Sequence, residues 1–337
     1  MSERDGDGAT GDTGRADSGA DGDGATGDTG RADSGADGDG AAGDGGADDR
    51  AATIDAVVDT VADAASDIRA GLVGRRGKAD RENPSGEVQA EADVYADDLL
   101  EERLSAIDGV AEYASEERAE VVDCGGSAAD PDAVAVAVDP LDGSSNLESN
   151  NTMGTVFAVY DEPLPAAGAA IVASGWVLYG PITTMALARE GTVTKYELSG
   201  DERTVVETDV TIPDEPLVYG FGGRVPDWPE DFAAFAGEVE SDPSHKLRYG
   251  GAMIGDVNQV LTYGGIFAYP ALESSPRGKL RLQFEGHPIG HLVETAGGRS
   301  SDGSRSLLSV EPDDLHDRVP LHVGNAELID RLETVLA

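Results

Sequence analysis

Residues 133–146 read AVAVAVDPLDGSSN, and the rest of the chain is best understood from there. Ala133 to Val138 is a short unbroken apolar run, the pattern of a strand buried on both faces of a sheet. It ends in an acidic, glycine-containing turn. Asp139 and Asp142 bracket Pro140 and Leu141, so both carboxylates leave one tight turn toward one point. Two carboxylates held that close repel each other unless a cation lies between them. Gly143, Ser144 and Ser145 add consecutive backbone N–H groups and two hydroxyls, which can cradle phosphate oxygens. A metal bridge joined to a phosphate nest is the layout of a phosphatase.

Upstream, Ile54, Val57, Val58, Val61, Ala65, Ile68 and Leu72 recur at helical spacing, with Thr53 available as N-cap. A charged, glycine-containing loop (71–86) separates this helix from a second one over about residues 90–106. Glu116 and Glu117 close another strand segment in YASEER. Downstream, 152–160, 183–189, 192–198 and 203–210 read as successive strands, with a small-residue helix near 166–173. From Leu217 strands (217–221, 266–269, 320–323) alternate with helices (near 229–239, 253–263 and 288–296). The fold class this implies is an α plus β, layered architecture, with a boundary near residue 212. The expected organisation is a tail over 1–50, an N-terminal unit over 51–212 and a C-terminal unit over 213–337.

The tail reads differently. Residues 5–20, DGDGATGDTGRADSGA, recur without change at 21–36, and such a tract has almost nothing to bury, so residues 1–50 are expected to be disordered. It also lacks the apolar residue that stacked Gly-Asp calcium repeats require.

The chain has 337 residues, 66 Asp plus Glu against 24 Lys plus Arg, and a formal net charge of −42. Residues 1–50 hold 14 acidic and four basic side chains, so 52 acidic and 20 basic remain on 51–337, a net of −32. The acidity therefore belongs mainly to the folded part. That excess argues against nucleic acid as a partner. With 20 Arg and only four Lys it suggests adaptation to a salt-loaded cytoplasm, where self-repulsion is screened. No apolar run approaches a membrane span. A single cysteine, Cys124, allows no intrachain disulfide, consistent with a reducing cytoplasmic location. The five histidines show no metal-ligand spacing and are read as core or surface residues.

Several segments together resemble fructose-1,6-bisphosphatases of class I, within the metal-dependent, lithium-sensitive sugar and inositol phosphatases. They are SEE (115–117), DPLDGSSN (139–146), MGTVFAVY (153–160), LYGP (178–181), RYGGAMIGDVNQVLTYGGIFAYP (248–270) and GKLRLQFE (278–285). The resemblance covers essentially residues 51–337 and implies the layered α/β sugar-phosphatase fold, with alternating helix and sheet layers. It implies gluconeogenic hydrolysis of fructose 1,6-bisphosphate to fructose 6-phosphate, by in-line attack of metal-activated water on the 1-phosphoryl group. It implies two or three Mg²⁺ per subunit, replaceable by Mn²⁺, and a homotetramer or dimer. Carried over by position, Glu116, Asp139, Asp142, Glu285 and the Leu141 carbonyl are expected metal ligands, with Glu87 serving a weaker additional ion. Asp93 and Glu117 are expected to orient or deprotonate the water. Gly143, Ser144 and Ser145 would hold the 1-phosphate, and Tyr249, Tyr269 and Lys279 the 6-phosphate and sugar. Arg248 matches an arginine that reaches a neighbouring subunit's site. The family's NEGY-like stretch, which also binds the 6-phosphate, is replaced here by Phe221 to Val225, where Arg224 is a candidate substitute. A broader sugar phosphatase or an inositol-monophosphatase-like enzyme is the alternative, and a non-catalytic acidic cation-binding protein a remote one.

Overall fold

In the computed structural model, residues 45–337 are described except 85, 87, 127–129 and 131. Most of the tail, and with it the expectation of disorder, lies outside the described residues. The first helix begins at Gly45, inside the stretch assigned to the tail. Thr53 is consequently interior to that helix and its hydroxyl donates to the Asp49 carbonyl at 3.1 Å, so it is not the N-cap.

An eight-stranded sheet runs in the order Glu202–Glu207, Thr192–Ser199, Thr183–Arg189, Ile171–Tyr179, Met153–Tyr160, Val134–Asp142, Val110–Ser115 and Val122–Asp123. All neighbours are antiparallel except Val110–Ser115, which lies parallel to Val134–Asp142. The alternating AVAVAV letters explain why that strand sits inside. Val134, Val136 and Val138 pack under helices Gly45–Gly71 and Glu91–Leu104, beside Val57, Ile68 and Leu100. Ala135 and Ala137 face the opposite layer with Tyr160 and Phe284. Along this second face Val156, Trp176 and Leu178 meet helices Met253–Tyr263 and His287–Thr295 through Ile254, Val257, Ile289 and Leu292.

A second sheet has the order Lys246–Leu247, Val218–Phe221, Gly265–Tyr269, Leu321–Gly324 and Arg299–Ser301. Phe267, Leu321 and Val323 join the middle helices, while Tyr219, Phe221 and Ile266 cover Phe232 and Phe235 of helix Glu230–Ser241 and Leu328, Ile329 and Leu332 of helix Ala326–Leu336. The result is helix, sheet, helix, sheet, helix.

Other elements also differ from the sequence reading, and the loop over 71–86 contains strand Lys78–Glu82, paired with Val88–Ala90. The small-residue stretch near 166–173 is a single 3-10 turn, Gly168–Ala170, leading into strand Ile171–Tyr179. Its alanines and Gly175 are small for packing reasons: a Cβ on Gly175 would lie 2.9 Å from the Phe157 ring and 2.5 Å from the Ala186 carbonyl. The terminal helix Ala326–Leu336 was not anticipated. Cys124 is half-buried beside the first core and its thiol contacts the Ser105 hydroxyl at 3.3 Å.

Candidate active site

In a regular strand, residues three apart point to opposite faces. The pairing between Val134–Asp142 and Met153–Tyr160 shifts register between Asp139 and Asp142, and this irregularity lets both carboxylates face one point. A third joins them from far along the chain. Glu285 sits on a five-residue π-turn, Leu282–Gly286, and ligand oxygens of Asp139, Asp142 and Glu285 all lie within 4.8 Å of one another. All three side chains are buried.

Each is held by a backbone donor: Leu141 N–H to Asp139 Oδ1 at 3.0 Å, Ile254 N–H to Asp142 Oδ2 at 2.8 Å, and Arg281 N–H to Glu285 Oε2 at 2.5 Å. Burial raises all three carboxyls well above the ordinary range. For Asp139 the Glu116, Asp142 and Glu285 charges add to it. Glu285 is raised likewise, with Glu116 and Asp142 adding. Asp142 is pushed up to about 7, burial outweighing its Ile254 hydrogen bond. Hard oxygen donors that converge while their charges repel are the chemistry a divalent cation such as Mg²⁺ or Mn²⁺ accepts, so the residues present fit such an ion.

Glu116 and Glu117 leave the end of Val110–Ser115, where Glu116 N–H donates to the Val138 carbonyl at 3.0 Å. Arg281 Nε stands 3.7 Å from Glu116 Oε1. Glu117 is hydrogen-bonded by the Gln89 amide, and burial, then Asp93 and Glu116, push its carboxyl up to about 8. Asp93 lies in the first turn of helix Glu91–Leu104, accepts the Ala90 N–H at 2.9 Å, and hydrogen-bonds Ser144; burial still raises it.

A cleft of about 510 Å³ brings together Asp93, Glu116, Glu117, Asp139, Leu141, Asp142, Gly143, Ser144, Ser145, Tyr249, Tyr269, Lys279 and Glu285. Arg248 is exposed and does not line the cleft of its own chain, and Glu87 lies outside the described residues. Arg224, offered as a substitute phosphate ligand, is exposed and also does not line it.

The cleft holds residues the sequence reading missed. Gln89 had no signal beyond its place before Asp93. Arg76 and Lys78, from what read as a charged loop, line the cleft, as does Arg318. Arg281, which lines the cleft too, is 4% exposed. Asp97, one turn after Asp93, accepts from Arg118 Nε at 2.8 Å and from the Tyr113 hydroxyl at 3.1 Å, bracing the segment that carries Glu116 and Glu117. The helical spacing of Asp93 and Asp97 was the available signal.

Fold and site together define a metal-dependent phosphatase of the layered α/β kind. Within that class the chain belongs to the fructose-1,6-bisphosphatase family: the family's N-terminal domain matches residues 50–208 and its C-terminal domain residues 212–337. It is similar to the class 1 fructose-1,6-bisphosphatase of Natronomonas pharaonis, 62% identical over 287 residues, covering 85% of this chain and 99% of that one. A Haloarcula marismortui class 1 enzyme is 53% identical over 281 residues, covering 83% and 94%. The crystal structure of Leishmania major fructose-1,6-bisphosphatase in holo form superposes with a TM-score of 0.76 at 26% identity, covering 87% of this chain and 94% of that one.

Proposed function

We propose that the cleft removes the 1-phosphate of fructose 1,6-bisphosphate, with Asp139, Asp142 and Glu285, together with Glu116 and the Leu141 carbonyl, holding two or three Mg²⁺ for which Mn²⁺ can substitute. The observation that carries this reading is the convergence of three buried carboxylates in the same cleft as Gly143 to Ser145 and Lys279. When bound, such ions neutralise charge on phosphoryl oxygens and acidify water.

The chain's own groups do the rest. Gly143, Ser144 and Ser145 hold the reacting phosphate through N–H and hydroxyl donors. Glu117, steadied by Gln89 at the end of strand Val110–Ser115, is the carboxylate placed to accept the proton of an attacking water. Asp93 orients that water and fixes Ser144. Lys279, Tyr249 and Tyr269 hold the phosphate that does not react and the sugar. Burial, and the charges of Tyr269, Asp256 and Asp142, push Tyr249 up to about 12, so it remains a hydrogen-bond donor.

A boundary near residue 212 separates an N-terminal unit carrying most of the metal ligands from a C-terminal unit carrying the sugar contacts. Glu285 crosses that division to complete the triad. The assembly is a homotetramer or dimer in which Arg248 serves a neighbouring subunit, and the location is cytoplasmic. Among the described residues no helix is long and apolar enough to cross a membrane. A broader sugar-phosphate preference is the second reading, favoured by the place of Arg224 outside the cleft.

Phosphate release from fructose 1,6-bisphosphate, glucose 1-phosphate and inositol 1-phosphate, with and without Mg²⁺ or Mn²⁺, separates them. The proposal expects cation-dependent release with the bisphosphate preferred at least about tenfold in kcat/KM. Equal rates on all three would favour the second reading, and release unaffected by cation removal would contradict the first.

A further inference from the structure

The peptide at Gly250 is gripped on both sides. Its N–H donates to Asp256 Oδ1 at 2.7 Å, and the Gly251 N–H bonds the same carboxylate. Its carbonyl accepts from Asn146 Nδ2 at 3.0 Å and from Asn151 Nδ2 at 2.9 Å. Asn146 spends its second amide hydrogen on the Thr152 carbonyl at 2.8 Å, so both its donors are committed to backbone. Asn146 and Asp256 are 9% and 3% exposed.

The position of this clasp matters more than its number of bonds. Asn146 directly follows the Gly143 to Ser145 nest and opens the short helix Asn146–Ser149. Gly250 directly follows Tyr249, and Tyr249, Gly251 and Met253 line the cleft. The two segments also touch closely: a Cβ on Gly143 would lie 2.2 Å from the Ala252 Cβ, and one on Gly251 would lie 3.2 Å from Asn146 Oδ1. The nest for the reacting phosphate and the segment presenting Tyr249 are therefore tied by side chains that do not line the cleft.

We infer that Asn146 and Asp256 are positioning residues that fix the spacing between the reacting-phosphate nest and Tyr249, so that the clasp sets the preference for a sugar carrying two phosphates over one carrying a single phosphate. This rests on the assignment of Tyr249 to the non-reacting phosphate made above. A bisphosphate must satisfy both subsites at once and is sensitive to their spacing; a monophosphate needs only the nest. Misplacement of about 1 Å is enough to cost about 100-fold where geometry is used for binding or reaction.

The test compares kcat and KM on fructose 1,6-bisphosphate and glucose 1-phosphate for wild type, Asn146→Ala, Asp256→Leu and Asp256→Asn. Asn146→Ala and Asp256→Leu are expected to raise KM for the bisphosphate at least about tenfold while changing kcat/KM on the monophosphate less than about threefold. Asp256→Asn keeps an oxygen acceptor and is expected to restore wild-type behaviour. Asn151→Ala, at an exposed position that removes one donor to Gly250, gives the same direction with a smaller effect should the buried variants fail to fold. Equal losses on both substrates, or no loss on the bisphosphate, would overturn the clasp. A wild-type enzyme with no preference for the bisphosphate would instead overturn the functional reading, and the specificity role of the clasp with it.

Discussion

At the scale of single residues the active site is a set of charges that oppose folding until something offsets them. Asp142 and Glu117 are raised to about 7 and about 8, and Asp139 and Glu285 are raised as well. A carboxyl whose folded value lies above its unfolded value contributes stability below the unfolded value and loses it as pH rises through the folded value. The metal-free protein is therefore expected to melt at falling temperature from pH 5 to pH 8. Saturating Mg²⁺ removes the cause, so its stabilising increment is expected to be larger at pH 8 than at pH 6. Melts with and without Mg²⁺ across that range check this, and an increment independent of pH would contradict it. The proposed metal ligands carry an expectation for turnover as well. Asp139→Asn, Asp142→Asn and Glu116→Gln are each expected to lower kcat at least about 100-fold. Retention of more than about a tenth of wild-type kcat with an unchanged metal requirement would remove that residue from the ligand set.

The elements matter because they deliver those residues from four places in the chain. A register shift aims Asp139 and Asp142, a π-turn brings Glu285, the first turn of Glu91–Leu104 brings Asp93, and a strand end brings the Glu116–Glu117 pair. The close approach of the Gly143 turn to Ala252 gives an element-level expectation. Gly143 has φ +74 and no room for a methyl group, so Gly143→Ala is expected to displace the turn, costing about 1–3 kcal/mol of stability and most of the activity. Differential scanning together with a phosphate-release assay checks both, and full activity would contradict the packing described. The difference between what could and could not be read in the sequence follows the same elements. Helix Met253–Tyr263 and the AVAVAV strand carry their periodicity in their own letters. Ile171–Tyr179 does not, because burial on both faces erases alternation and its small residues answer to Phe157 and the neighbouring strand. Asp139 and Asp142 announce themselves by spacing. Arg281 and Gln89 do not, since one is made a site residue by the π-turn after it and the other by an amide that reaches Glu117, 28 residues further along the chain.

Over the whole molecule the dominant quantity is charge. A net of −32 on residues 51–337 sets self-repulsion against a net stability of only about 5–15 kcal/mol. Salt at about 1 M shortens the screening length to about 3 Å, so thermal stability without Mg²⁺ is expected to be at least about 10 °C higher in 3 M than in 0.1 M KCl. Removal of residues 1–44 is expected to leave that difference nearly intact, and coincident melts would contradict the electrostatic account. The cleft concentrates cations in this acidic molecule: Arg76, Lys78, Lys279, Arg281 and Arg318 all line it. They stand beside seven carboxylates, Asp93, Glu116, Glu117, Asp139, Asp142, Glu148 and Glu285, so the lining alone is net acidic and bound divalent cations would be needed to turn it toward a phosphate ester. The most direct measurement of the central claim is the anomalous scattering of Mn²⁺ in crystals grown with the ion. The account predicts a peak enclosed by Asp139, Asp142 and Glu285 that is lost in Asp139→Asn. Crystals of enzyme shown to be active in the same Mn²⁺ buffer, yet with no peak at these carboxylates or with the peak elsewhere, would contradict it.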